Sequence, residues 1–256
     1  MSPRARTGFA AMAGVALAAM GALGAARAAA PAAQPAGEVT FLAGDATRTA
    51  GGKSQKLAMG TPVYQGDVLE TQRRTRLEVK LSDTSIVRLG PTSKAVVEAA
   101  AFGKSVEDRK VSAKLVVGQV WANVAKAIGG ESRFEVQTDN AVAGVRGTTF
   151  RVDAAKDKSV VVKVYSGTVA VAAGPIPRPE HGAAEGGTGT GGKKERKQVA
   201  GPKEVNREQW EKIVGEMMQV KISADGKPGE PEQFAMASPS EDEWEAWNRE
   251  RDGTAR

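Results

Sequence analysis

From residue 37 to residue 173 no segment sustains a helical repeat of apolar residues, and this narrows the fold more than any other feature of the chain. The stretch is broken into short runs rich in Val, Leu, Thr and Phe, punctuated by Gly, Asp, Asn and Ser. Leu77, Val79 and Leu81 alternate with Arg76, Glu78 and Lys80. Successive side chains of an extended chain point to opposite faces, so this pattern predicts a strand with one buried and one wet face. Ile86, Val87 and Leu89 follow after Ser82-Asp83-Thr84-Ser85, whose short polar side chains favour a sharp turn, and a hairpin is expected there. Gly44, Gly118 and Gly167 each separate an apolar run from an alternating one. Glycine accepts backbone angles that other residues avoid, so each marks a bend where a strand turns a corner. Repeated corners predict an all-β domain over residues 37–173, either rolled in a β-solenoid-like manner or folded as a β-sandwich.

Composition limits what that domain can do. Aromatic residues make up only 5%, so the core must be built from Val, Leu, Ile and Ala. With no Cys there is no disulfide, no thiolate metal site and no lipid-modified N-terminal cysteine. The single histidine, His181, stands in a Pro/Gly-rich stretch that cannot hold a triad or a metal cluster in geometry. Glu78, Asp83, Glu98 and Asp139 show no spacing that marks an acid and base pair, and read as turn and surface groups. A glycine-rich run from Gly187 to Lys193 resembles a phosphate-binding loop, but Lys194 replaces the required Ser or Thr and no buried strand precedes it. The chain is therefore not expected to be an enzyme, and no cofactor or metal is expected.

The two ends differ from the middle. Arg4 and Arg6 precede an uncharged stretch over residues 8–26, and small residues follow at Ala26, Ala28, Ala29 and Ala30. This is the order of a secretory signal peptide over residues 1–30, with cleavage after Ala28 or Ala30 and release to the periplasm or outside. An uncleaved inner-membrane anchor is the alternative. Residues 31–174 carry 20 Lys/Arg against 14 Asp/Glu, whereas residues 175–256 carry 13 against 16. A solvated surface is the favoured reading of this basic domain; if it binds, an exported chain points to an anionic glycan, a lipid surface or its own acidic tail and not to nucleic acid. Residues 174–202, with Pro175, Pro177 and Pro179 and a Gly/Lys-rich run, are expected to form a flexible linker. In the extension over residues 203–256, Trp210, Ile213, Val214, Met217 and Met218 recur at helical spacing behind Asn206 and Gln209, which predicts a short amphipathic helix. Ser240 and Glu243 form a capping box for a second helix with Trp244 and Trp247 on one face. Trp210, Trp244 and Trp247 are the candidate docking residues, on the β domain or on a neighbouring chain.

Four motifs in order carry a family resemblance. Gly66-Asp67-Val68-Leu69-Glu70-Thr71 comes first, then Leu81-Ser82-Asp83-Thr84-Ser85 leading into Arg88-Leu89-Gly90, then Leu115 to Val124. The fourth is a strand ending in Thr138, followed by Gly144-Val145-Arg146-Gly147-Thr148 and Phe150. Together they resemble the FecR domain across residues 37–173, with Thr84 standing where the family usually has Gly. The tail, Trp244-x-x-Trp247-Asn248-x-x-Arg251-Asp252, is similar to the endings of some stand-alone FecR-domain proteins. The resemblance implies a non-catalytic regulatory or scaffold module that recognises an envelope protein. Its best-known members carry a cytoplasmic sigma-factor-binding segment; none is expected here, nor direct sigma-factor contact. Arg146, flanked by glycines that allow close backbone approach, is expected to pin neighbouring strands by hydrogen bonds.

Overall fold

Period-two alternation produces strands throughout the folded body. The computed structural model describes residues 34–103, 109–126, 133–174 and 211–253. Seventeen strands and one helix occur among them. In chain order these are β1 (Gly37–Ala43), β2 (Ala46–Ala50), β3 (Lys53–Lys56), β4 (Pro62–Val63), β5 (Val68–Thr71), β6 (Arg76–Leu81), β7 (Ile86–Leu89), β8 (Lys94–Ala101) and β9 (Lys110–Asn123). They continue with β10 (Arg133–Gln137), β11 (Ala141–Val145), β12 (Thr149–Ala154), β13 (Val160–Ser166), β14 (Val169–Ala173), β15 (Glu211–Val214), β16 (Met218–Ile222), β17 (Glu232–Gln233) and α1 (Glu243–Arg251).

The strands form two sheets that share β9. Sheet A runs β4-β1-β6-β7-β9-β12-β13-β16-β17 and is antiparallel throughout. Sheet B runs β3-β2-β5-β8-β9-β10-β11-β14-β15, antiparallel except for the parallel β9–β10 pair. A single apolar cluster draws on both sheets, with Leu77, Val120, Phe150 and Val162 from one and Leu115, Phe134 and Val169 from the other. The architecture is thus an all-β, two-sheet sandwich with a C-terminal helix.

The corner glycines are where the chain changes sheet. Gly44 joins β1 to β2, Gly167 joins β13 to β14, and Gly147 joins β11 to β12, each with positive φ. Gly118 lies inside β9, whose first part pairs with β8 and β10 and whose last part pairs with β7 and β12. At φ +100° Gly118 adopts a conformation L side chains rarely take, and an added Cβ would lie 2.6 Å from Ser93 Cβ.

The β6–β7 hairpin forms as the polar turn predicts. Thr84 donates its N–H to Leu81 O at 3.0 Å, and Asp83 accepts from Ser85 N at 3.1 Å. Thr84 sits at φ +71°, the left-handed region where its Cβ is crowded. That strain is about 1–2 kcal/mol, and glycine relieves it while adding about 0.5–1 kcal/mol of chain entropy to lose. Thr84→Gly is accordingly expected to raise the melting temperature by about 1–3 °C. A lowered melting temperature in differential scanning calorimetry would contradict this.

Two expectations for the C-terminal region need correction. The stripe from Ile213 to Met218 is not helical: it forms β15 and β16, joined through Gly215 and Met217. Ile213 is 59% exposed while the adjacent Val214 is buried, a period of two and not of 3.6. The physical reason is the open edges of β14 and β13, which offer unpaired backbone groups to β15 and β16 respectively. Asn206, Gln209 and Trp210 lie outside the described residues, as do the signal segment over residues 1–30, His181 and the glycine-rich run. The second helix forms, but its N-cap is Asp242, which accepts from Glu245 N at 2.8 Å, and not Ser240. A carboxylate at Asp242 meets the helix N-terminus directly, whereas Ser240 lies two residues too early. Residues 211–253 therefore complete both sheets and cover one of them.

Candidate functional site

The outer face of sheet A carries a continuous cross-strand row. Register pairs Phe41 with Glu78, Glu78 with Arg88, Arg88 with Trp121, Trp121 with Arg151, Arg151 with Lys163, and Lys163 with Gln219. These side chains alternate with the core residues Leu77, Leu89, Val120, Val152 and Val162, so they project away from the sandwich. On sequence pattern alone this is the wet face. Helix α1 lies across it instead, and Glu78, Arg88, Trp121 and Arg151 are all buried.

The helix is held by charge and by aromatic packing. Arg88 Nε donates to Glu78 at 2.7 Å, its Nη2 meets Asp252 at 2.8 Å, and its Nη1 reaches Asn248 Oδ1 at 3.3 Å. Arg251 donates to the same Glu78 at 2.9 Å, and Trp121 Nε1 donates to Asp252 at 2.8 Å. At the other end, Arg151 bridges Asp153 and the N-cap Asp242, at 2.9 and 2.6 Å. Tyr165 donates its hydroxyl to the fully buried Glu245 at 2.8 Å, and Lys163 lies 3.6 Å from it. Trp121, Tyr165 and Trp244 form a second apolar cluster with Phe234 and Trp247 against it. Trp244 and Trp247 stack with ring centroids 5.3 Å apart, and Trp247 packs 5.4 Å from Phe41. Buried guanidinium–carboxylate pairs need such complete hydrogen bonding, because desolvation costs several kcal/mol per ion.

Titration follows from these contacts. Burial pushes the Glu78 carboxyl up, but hydrogen bonds from Arg251, Arg88 and Thr40 outweigh it and hold it at about 2. For Asp153, burial dominates and pushes the carboxyl up despite Arg151. A carboxyl held lower in the folded chain than in the unfolded one stabilises the fold above its unfolded value, and that stability is lost as pH falls through its folded value. Urea-unfolding free energy is expected to fall between about pH 4.5 and 2 through Glu78, and Glu78→Gln to flatten that part of the profile. An unchanged slope in the variant would remove Glu78 from the acid response.

The remaining motif residues occupy separate places. Asp67, after Gly66 at φ +88°, accepts Tyr64 N–H at 2.7 Å and pairs with Arg48. Asp83 pairs with the fully buried Arg109, which also donates to Ala125 O at 3.1 Å. Gly144 and Val145 end β11, and Gly147 turns the corner at φ +68°. Thr148 donates to Thr168 O at 3.0 Å, and Phe150 enters the core. Arg146 is exposed beyond β11, while Arg88, Arg109 and Arg151 are buried. Arg88 is the motif residue that reaches the tail, through Asn248 and Asp252, while Arg251 reaches its partner Glu78. Glu78, Arg151 and Tyr165 were not singled out by motif; their one signal was the outward side of each alternating strand, and Glu245, in α1, had no signal.

Beside the N-terminal end of α1 an open groove of about 1090 Å³ is lined by Arg73, Arg74, Arg76, Thr92, Gln119 and Trp244 among others. Adjoining the lining residues Thr92 and Gln119 is a knot of hydrogen bonds. Thr71 Oγ1 donates to Gly90 O at 2.6 Å and accepts from Ser93 N at 2.9 Å, and Gln119 N donates to Ser93 Oγ at 2.8 Å. No group of His, Cys, Asp or Glu among the described residues is arranged to hold a metal ion. No helix among them is long and apolar enough to cross a membrane.

Residues 67–170, from the Asp67 turn into β14, match the family described as FecR protein. The match supports a regulatory, signal-transducing role for the matched region. No curated protein matches the chain. Two crystal structures of a candidate anti-sigma factor from Parabacteroides distasonis are similar, at 17% identity and TM-scores of 0.43 and 0.44, covering 65% of this chain. The chain spans 59% of the length of that protein.

Proposed function

We propose that this chain is an exported, non-catalytic regulatory module that recognises a protein partner in the cell envelope. The observation that carries the reading is the FecR match on a sheet framework whose buried carboxylates are committed to cations. Asp67 pairs with Arg48, Asp83 with Arg109, and Glu78 and Asp252 with Arg88. A carboxylate held this way is a structural ion and not a poised acid or base, which favours recognition over chemistry. Export rests on Arg4, Arg6 and the small-residue site at Ala28 to Ala30.

Cell fractionation with in-cell photo-crosslinking tests the reading. The mature chain is expected outside the cytoplasm, beginning after Ala28 or Ala30, and crosslinked to an envelope protein. Recovery from the cytosol with residues 1–30 retained would overturn it, as would turnover of an envelope substrate by the purified chain.

A further inference from the structure

The groove beside α1 joins three observations that the docked tail does not account for. Arg73 and Arg74 are exposed on the turn between β5 and β6, and neither has an ion-pair partner among the described residues. Both turns that edge the groove are strained: Arg74 sits at φ +58° and Thr92 at φ +53°. Left-handed backbone at a residue other than glycine costs about 1–2 kcal/mol, and such strain is retained where surrounding structure enforces it. Here Gln72 O enforces it by accepting from both Thr75 N, at 3.3 Å, and Thr92 N, at 3.2 Å. Finally, Trp244, which lines the groove, keeps its buried indole N–H without an acceptor.

The third arginine of the groove shows what chemistry fits. Arg76 is taken by the carboxylate of Glu243, an acidic side chain presented by a peptide backbone next to a tryptophan. Arg73 and Arg74 line the same groove, with no ion-pair partner among the described residues. We propose that the groove is a docking site for an acidic peptide segment of a partner protein, whose carboxylates pair with Arg73 and Arg74 as Glu243 pairs with Arg76. The inference rests on the protein-recognition reading and names the surface and the ligand class for it.

Binding of labelled poly-L-glutamate to the full chain, followed by fluorescence anisotropy, tests it. Saturable binding is expected, weakening as salt rises. Arg73→Ala is expected to weaken it about tenfold, and Arg73→Ala with Arg74→Gly about a hundredfold. Arg74→Gly also relieves the left-handed strain, so the double variant is expected to melt no lower than the parent chain, which separates lost binding from lost folding. Removing two charges elsewhere, at Lys53 and Lys56, is expected to leave binding unchanged. Equal weakening there, no saturable binding, or polygalacturonate binding more tightly than the peptide would each overturn the proposal, the last in favour of a glycan. In cells, a photo-crosslinker at Thr92 is expected to capture a partner protein. Capture from Lys53 on β3 but not from Thr92 would reject the groove while leaving partner recognition standing, and capture from neither position would reject the groove together with that reading.

Discussion

Replacing Arg88 with alanine is expected to destabilise the fold by about 3–5 kcal/mol, the largest effect of any single charged residue in this chain. Arg88 is 3% exposed and holds two buried carboxylates at once, Glu78 from the neighbouring strand and Asp252 from the end of α1. Without the guanidinium, Asp252 keeps only Trp121 Nε1, while Glu78 keeps Arg251 and Thr40. Two negative charges then lie under the helix, each without its contact to the guanidinium. Arg88→Lys keeps the charge but not the fork, since an ammonium cannot span Glu78, Asn248 and Asp252 together, and only partial recovery is expected. Urea unfolding followed by tryptophan fluorescence reads both, because Trp121, Trp244 and Trp247 all lie at this interface. A change in unfolding free energy below about 1 kcal/mol would mean that water already reaches the pair and that α1 detaches at little cost.

Arg88 also shows why the site was less legible than the sheets. Leu77, Val79 and Leu89 announce a buried face by alternation, and the glycines at 44, 118 and 167 fall where strands change sheet, so the all-β fold and its corners could be read from local pattern. Glu78 and Arg88, on the other side of the same strands, look like solvated charges because their cover comes from Asn248 and Asp252, 160 or more residues away. Local periodicity carries no information about such a contact. The tail motif was visible as a motif, but its role depends on the face it meets. The misreading of Ile213 to Met218 has the same root: an apolar stripe compatible with a helix becomes two strands when β13 and β14 present unpaired edges. The glycines flanking Arg146 mark a real corner at Gly147, where the chain passes from one sheet to the other.

Ending the chain after Gly174 is expected to lower the melting temperature by at least about 10 °C, or to abolish cooperative unfolding altogether. The deletion strips β16 from β13 and β15 from β14, leaving both sheets with bare apolar edges that include Val162, Val164, Val169 and Val171. It also uncovers Trp121 and Tyr165 and removes the acidic partners of Arg88 and Arg151 on the tail, Asp252 and Asp242. A shorter deletion, ending after Gln233, keeps β15 to β17 and removes α1 together with Phe234 and the segment leading to the helix. Comparing the two separates the share of stability that lies in sheet completion from the share that lies in covering the charged row. If the shorter deletion melts with the full chain, α1 rests on sheet A without stabilising it, and the row from Glu78 to Lys163 becomes a surface that a partner could occupy in its place. If it melts well below, the tail is a fixed part of the domain, and recognition is left to surfaces α1 does not cover, with the arginine-lined groove beside it the first of them.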